Sequence, residues 1–267
     1  MRKVGVTAIL GELRSVGQTV REELEPPTVG PIVVSGVLAE QLAKQLGAGA
    51  AAGSVVFGVG SPPANTSALV HVIAGDPSDE DVEVVRRATT NGTAVVLVEL
   101  WPQEDWTPPF VLTPFVVECR AGEGFPIREI ADRIAEATED SAALAAAVPT
   151  IRDAAWAGAV KQAVARAALI GLAADRFGAS RPLISLEQVR MVGRLRRMSS
   201  AEELAEDRSM LAGSAAAVIA SGFAFRHAAR GARGFLPDPV VNAAVAAGAT
   251  LLLARALRLL EAHVRPD

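Results

Sequence analysis

The chain has no tyrosine, a single cysteine and only 4% aromatic residues. With Cys119 alone, no intrachain disulfide can form, and a reducing compartment is expected. The scarcity of aromatic area means that close contact between small side chains must carry much of the packing. Lysine is almost as scarce: Lys3, Lys44 and Lys161 are the whole complement, and no Gly-Lys dipeptide occurs. That excludes the phosphate-cradling loop Gly-x-x-x-x-Gly-Lys-Ser/Thr, whose lysine must reach the β- and γ-phosphates. His71, His227 and His263 stand without ligand spacing around them, so no metal centre is expected. The first residues show two basic side chains but no clean apolar run, and no secretory leader is expected.

What the chain does have is length and apolar content. Its 267 residues, half of them hydrophobic and many of those alanine or valine, suffice for one large domain or two modest ones. The net charge of −4 conceals a division. Residues 1–150 carry ten basic and twenty acidic side chains, whereas the remainder carries sixteen and ten. Two units are expected, the second suited to an acidic partner or simply to the first unit.

Residues 6–24 have helical spacing and end at Pro26-Pro27, an N-terminal arm over residues 1–28. From Gly30 strands and helices alternate. Strands are expected at 32–34, 54–59, 68–74, 94–100 and 115–118, and helices at 37–46, 78–88 and 127–137. This alternation implies a three-layer α/β domain over residues 29–140, with a mostly parallel sheet covered on both faces. Beyond residue 141 the strand signals stop. Helices are expected at 151–177, 185–198, 202–230 and 238–264, an all-α bundle over 141–267.

The first of these domains resembles the Era-like family of small GTPases. The resemblance rests on Ala68–Ala74 with Gly75-Asp76 and the acidic helix after it, and on Asn91-Gly92-Thr93 leading into 94–100. It rests also on Val116-Val117-Glu118-Cys119-Arg120-Ala121-Gly122-Glu123-Gly124, followed by the helix at 127–137. The chemistry of that family is missing at each station. After Ile32-Val33-Val34 stands Ser35-Gly36-Val37-Leu38-Ala39-Glu40-Gln41-Leu42, with one glycine, no lysine and a glutamate where phosphate would sit. At the guanine-reading position stands Glu99-Leu100-Trp101-Pro102, which offers neither the amide nor the carboxylate. The resemblance therefore implies a GTPase-like scaffold without the parts that phosphoryl transfer requires. No nucleotide or other cofactor and no catalytic residue is expected.

The second domain resembles the helical domain of the YcjF-like family, on Ala165–Gly171, the run Arg181-Pro182-Leu183-Ile184-Ser185-Leu186-Glu187-Gln188-Val189-Arg190-Met191-Val192, and Ala243–Ala254 with Gly248, Thr250 and Arg255. Membrane association is what that resemblance implies. Two charge-free stretches, 209–225 and 239–254, are rich in alanine and glycine. Seventeen helical residues reach only about 25 Å. A buried hairpin is expected, with a short membrane hairpin or lipid contact as the alternatives.

Arg181, Arg190, Arg194 and Arg197 form a patch for an anionic partner, three of them on one helix face. The acidic first unit is the favoured occupant and an anionic lipid surface the next. Nucleic acid is not expected, since neither recognition helix nor stacking aromatics accompany the patch. The cluster Asp76, Asp79, Glu80, Asp81 reads as a helix cap and its solvated first turn. Ser35 lacks the Gly-x-Ser-x-Gly setting of a nucleophile, and Cys119 reads as buried.

The expected function is a non-catalytic scaffold or regulatory interaction protein with an unidentified protein partner, cytoplasmic and at the inner face of the membrane. A divergent GTP-binding protein and a small integral membrane protein with a helical hairpin are the alternatives.

Overall fold

The structure is a computed structural model, which describes residues 29–58, 63–102, 113–177, 180–198 and 237–264. The expected arm at 1–28, the helix at 202–230 and the charge-free stretch at 209–225 lie outside the described residues.

The chain divides into two compact units, residues 27–158 and a second comprising 1–26 and 159–267. The first is an α/β unit. Its strands are β1 (Ile32–Gly36), β2 (Val55–Phe57), β3 (Ala68–Ala74), β4 (Ala94–Leu100) and β5 (Val116–Cys119). All pair in parallel, in the order β2-β1-β3-β4-β5. Parallel neighbours need crossovers: helix α1 (Ala39–Leu46) joins β1 to β2 and α2 (Asp79–Thr90) joins β3 to β4, while α3 (Ile127–Ala137) follows β5.

The central strands β3 and β4 are buried along nearly their whole length, which is why both read as apolar runs broken only by His71 and Glu99. One face carries Val33, Leu69, Ile73, Val95 and Leu97, covered by Val84, Val85 and Ala88 of α2. Ile130, Ala131 and Ile134 of α3 and Leu42 and Leu46 of α1 are buried as well. Fully burying a side chain such as Leu97 or Ile134 contributes about 1.5–3 kcal/mol.

Helix α2 starts where local chemistry dictates. Ser78 is its N-cap, accepting from the Asp81 N–H while the Asp81 carboxylate accepts from the Ser78 N–H, a reciprocal capping box. Asp79 and Glu80 join Asp81 in the first turn, where the helix dipole favours negative charge. The turn at Asn91-Gly92 follows, with Gly92 at φ 73°.

A short helix α4 (Ser141–Ala147), capped by Asp140, and a 3-10 turn (Pro149–Ile151) were not legible in the sequence. They close the α/β unit. Ala51 donates its N–H to the Ala147 carbonyl, and the Thr150 hydroxyl donates to the Leu46 carbonyl at 2.6 Å.

Among the described residues three more helices follow: α5 (Arg152–Phe177), α6 (Ser180–Arg197) and α7 (Asp238–Val264). Helix α6 begins five residues before the expected start at 185, because Pro182 falls in its first turn, where a missing N–H costs nothing. In the second unit small residues replace aromatics at the contacts. A Cβ on Gly171 of α5 would lie 2.7 Å from Ala243 Cα and from the Asn242 carbonyl oxygen of α7, so the two helices meet backbone to backbone.

Candidate functional site

In an open parallel sheet the crevice forms outside the carboxyl ends of the strands, where the chain's direction of winding reverses. Here the reversal falls between β1 and β3: β2 lies on one side of β1, and β3, β4 and β5 follow on the other. A crevice of about 780 Å³ opens at that point, within the α/β unit. Its wall is the segment 35–41 after β1, with Phe57 and Gly58 of β2, His71 of β3, and Glu80, Asp81 and Val84 of α2.

The loop after β1 is held tightly. Gly36 has φ 89°, and a Cβ there would lie 2.0 Å from the Val72 carbonyl oxygen, so only glycine fits. The Val37 N–H donates to that same Val72 carbonyl at 3.0 Å. Leu38, the N-cap of α1, stands in the left-handed region at φ 55° and offers no capping side chain. A bulky residue rarely adopts that conformation, and such outliers cluster at ligand sites. The first N–H groups of α1 have no acceptor within their own helix, and Ala39, Glu40 and Gln41 line the crevice.

At the inner wall three side chains form a chain of hydrogen bonds. Ser35 and His71 are register partners on adjacent strands, and Ser35 Oγ lies 2.7 Å from His71 Nδ1. His71 Nε2 lies 2.7 Å from Asp81 Oδ1. Asp81 Oδ2 accepts from both the N–H and the hydroxyl of Ser78. Burial alone would raise the Asp81 carboxyl, but the hydrogen bonds from the Ser78 side chain and backbone and from His71 outweigh it. Its pKa therefore lies below the ordinary 3.8. An ionised carboxylate can only accept, so Nε2 carries the proton. In the neutral imidazole Nδ1 is then an acceptor, and the Ser35 hydroxyl donates to it.

The sequence reading placed Asp81 only in a helix cap and set Ser35 aside as a nucleophile for want of a motif. The structure gives Asp81 a second partner and joins Ser35 to a base. One signal was available. His71 interrupts a continuous apolar strand, and a polar ring that is 3% exposed must find partners.

A buried acid stands on the neighbouring strand β4. Glu99 of β4 is 0% exposed. Its Oε1 accepts the Gly75 N–H at 3.0 Å, while Oε2 has no hydrogen-bond partner among the described residues. Burial pushes its carboxyl up to about 7, partly opposed by the Gly75 hydrogen bond and helped by the charges of Asp76 and Glu118. Cys119 is buried as expected. Burial and the nearby Glu123 raise its thiol above the ordinary value.

In the second unit the arginine patch is in part engaged internally. Glu187, 6% exposed, accepts from Arg166 at 3.3 Å and lies 3.9 Å from Arg190. Arg194 donates to the Gln162 side chain at 3.4 Å. Arg197 stands in the last turn of α6, where its charge complements the helix dipole. Arg181 lies in the first turn of the same helix, and its side chain is outside the described residues.

No family model, curated protein or solved structure matches the chain.

Proposed function

We propose that the protein is a scaffold or regulatory interaction protein in which a GTPase-like sheet persists without nucleotide chemistry. The observation that carries this reading is the loop after β1. The Val37 amide is engaged by the Val72 carbonyl, and no lysine stands in the loop. Along the crevice Lys44 faces three carboxylates, those of Glu40, Glu80 and Asp81. Such a wall repels a triphosphate rather than neutralising it. Near the carboxyl end of β4 the buried Glu99 occupies the position where the resembling family reads guanine.

Titration calorimetry with GTP and GDP in the presence of Mg²⁺ tests the reading. No heat of binding is expected, and a micromolar affinity would overturn it in favour of a divergent GTP-binding protein.

The resemblance of the helical unit to the YcjF-like family adds a location, the inner face of the membrane. Helix α7 supports this. Among the described residues, Asp238–Leu259 is long and apolar enough to cross a membrane by length and composition, with a mean hydropathy of 1.7. Val240, Leu251, Leu252 and Leu259 on it are exposed. Such residues favour a lipid surface, and the nearby arginines favour anionic headgroups. Carbonate extraction of a membrane fraction separates surface contact from insertion: release into the supernatant is expected, and retention in the pellet supports an integral hairpin instead.

A further inference from the structure

We infer that Ser35 is an acylatable nucleophile, with His71 as its general base and Asp81 as the residue that orients His71, and that the crevice takes a small carboxylic ester of neutral or positive charge. This goes beyond the regulatory reading and does not depend on it.

The inference stands on three independent observations. The first is the hydrogen-bond chain itself, two contacts of 2.7 Å joining a hydroxyl, an imidazole and a carboxylate. In the neutral imidazole its polarity is the productive one: Asp81 accepts from Nε2–H, which leaves the Nδ1 lone pair to accept from the Ser35 hydroxyl. Serine is a poor nucleophile until such a base takes that proton, and the third group holds the base in the required tautomer. Asp81 is itself held in place, since Ser78 grips its other oxygen with two hydrogen bonds.

The second is the location. Ser35, His71 and Asp81 all line the crevice, and Ser35 and His71 are almost wholly buried at its inner wall. A purely structural network has no need of a cavity against it. The third is the turn beside it, which carries backbone N–H donors. The strained Leu38 sets the start of α1, whose first N–H groups lack acceptors in their own helix and belong to residues lining the same crevice. Developing negative charge on a carbonyl oxygen is stabilised by donors of that kind.

The step balances without a cofactor. Ser35 Oγ forms a bond to the acyl carbon as its proton passes to His71 Nδ1. The carbon–oxygen bond to the leaving alcohol then breaks, and that oxygen takes the proton back from Nδ1. The product is an acyl ester on Ser35. Water, deprotonated by the same nitrogen, releases the carboxylic acid and restores the hydroxyl. Asp81 remains ionised throughout. The acids along the wall outnumber Lys44, which disfavours phosphorylated or carboxylated substrates.

The test uses the full chain with a fluorophosphonate probe and with p-nitrophenyl acetate. Peptide mass spectrometry of the labelled protein is expected to place one adduct on Ser35, absent in Ser35→Ala. His71→Gln is expected to slow labelling and ester cleavage by about 100-fold or more, the range of general-base effects. Asp81→Asn is expected to slow both by about 10-fold or more, through loss of orientation. Cooperative melting of each variant accompanies the comparison. For any variant that does not fold, native protein is compared with urea-unfolded protein, and only the native chain is expected to label at Ser35. Labelling elsewhere than Ser35, equal labelling before and after unfolding, or an undiminished rate in folded His71→Gln overturns the assignment. Since GTP titration reads the nucleotide question and labelling reads the serine, each can fail without the other.

Discussion

Replacing Glu99 by glutamine isolates the cost of one buried charge. In the folded chain this carboxyl is raised to about 7 from 4.5, chiefly by burial, with Asp76 and Glu118 adding to the effect. The unfolded chain therefore releases the proton first as pH rises. Between about pH 4.5 and about pH 7 the folded state holds more protons than the unfolded state, so stability falls with increasing pH and levels off above. The full shift corresponds to about 3 kcal/mol. Glutamine has the shape of the protonated acid: its oxygen can accept the Gly75 N–H, and nothing titrates. From about pH 5 to about pH 8 the stability of Glu99→Gln relative to the unsubstituted chain is expected to rise by about 2.5 kcal/mol. Urea unfolding followed by tryptophan fluorescence at several pH values reads this difference, and contributions from titrating groups that do not interact with Glu99 cancel in it. Parallel stability–pH curves for the two proteins would refute the reasoning, as would a variant less stable at about pH 8.

Three further outcomes are expected. Asp81→Asn loses a stabilisation that is fully present above the unfolded value of 3.8 and disappears as pH falls through the lower folded value. In urea unfolding its deficit, about 1 kcal/mol for the cap alone, is therefore full near neutrality and vanishes in strong acid. Gly36→Ala places a methyl group 2.0 Å from the Val72 carbonyl oxygen at a φ of 89°, and the loss of stability, read by thermal melting, is expected to exceed about 3 kcal/mol. Gly171→Ala drives a methyl group into the α7 backbone at Ala243, and an overpacking cost of about 1–3 kcal/mol is expected in the same assay.

Local pattern determined a good deal of this protein. The limits of β3, β4, α3 and α7 follow from apolar runs and helical spacing, because those elements are long and their periodicity is strong. The start of α2 was written in Ser78 and the acids after it, since a cap is a matter of a few adjacent residues. Charge and lysine count likewise disfavoured a phosphate cradle without any coordinates. By contrast, α4 passed unread, because a seven-residue alanine-rich stretch has too little periodicity to signal a helix of its own.

The order β2-β1-β3-β4-β5 and its register belong to the tertiary structure. Parallel strands meet only through crossovers, and no local signal states which strand will lie beside which. That pairing sets Ser35 against His71 across 36 residues of chain, and the packing of α2 brings Asp81 to the other ring nitrogen. Of the three residues only His71 announced itself, as a polar break in an apolar strand. Folding brings them within hydrogen-bond reach where the sheet opens a crevice.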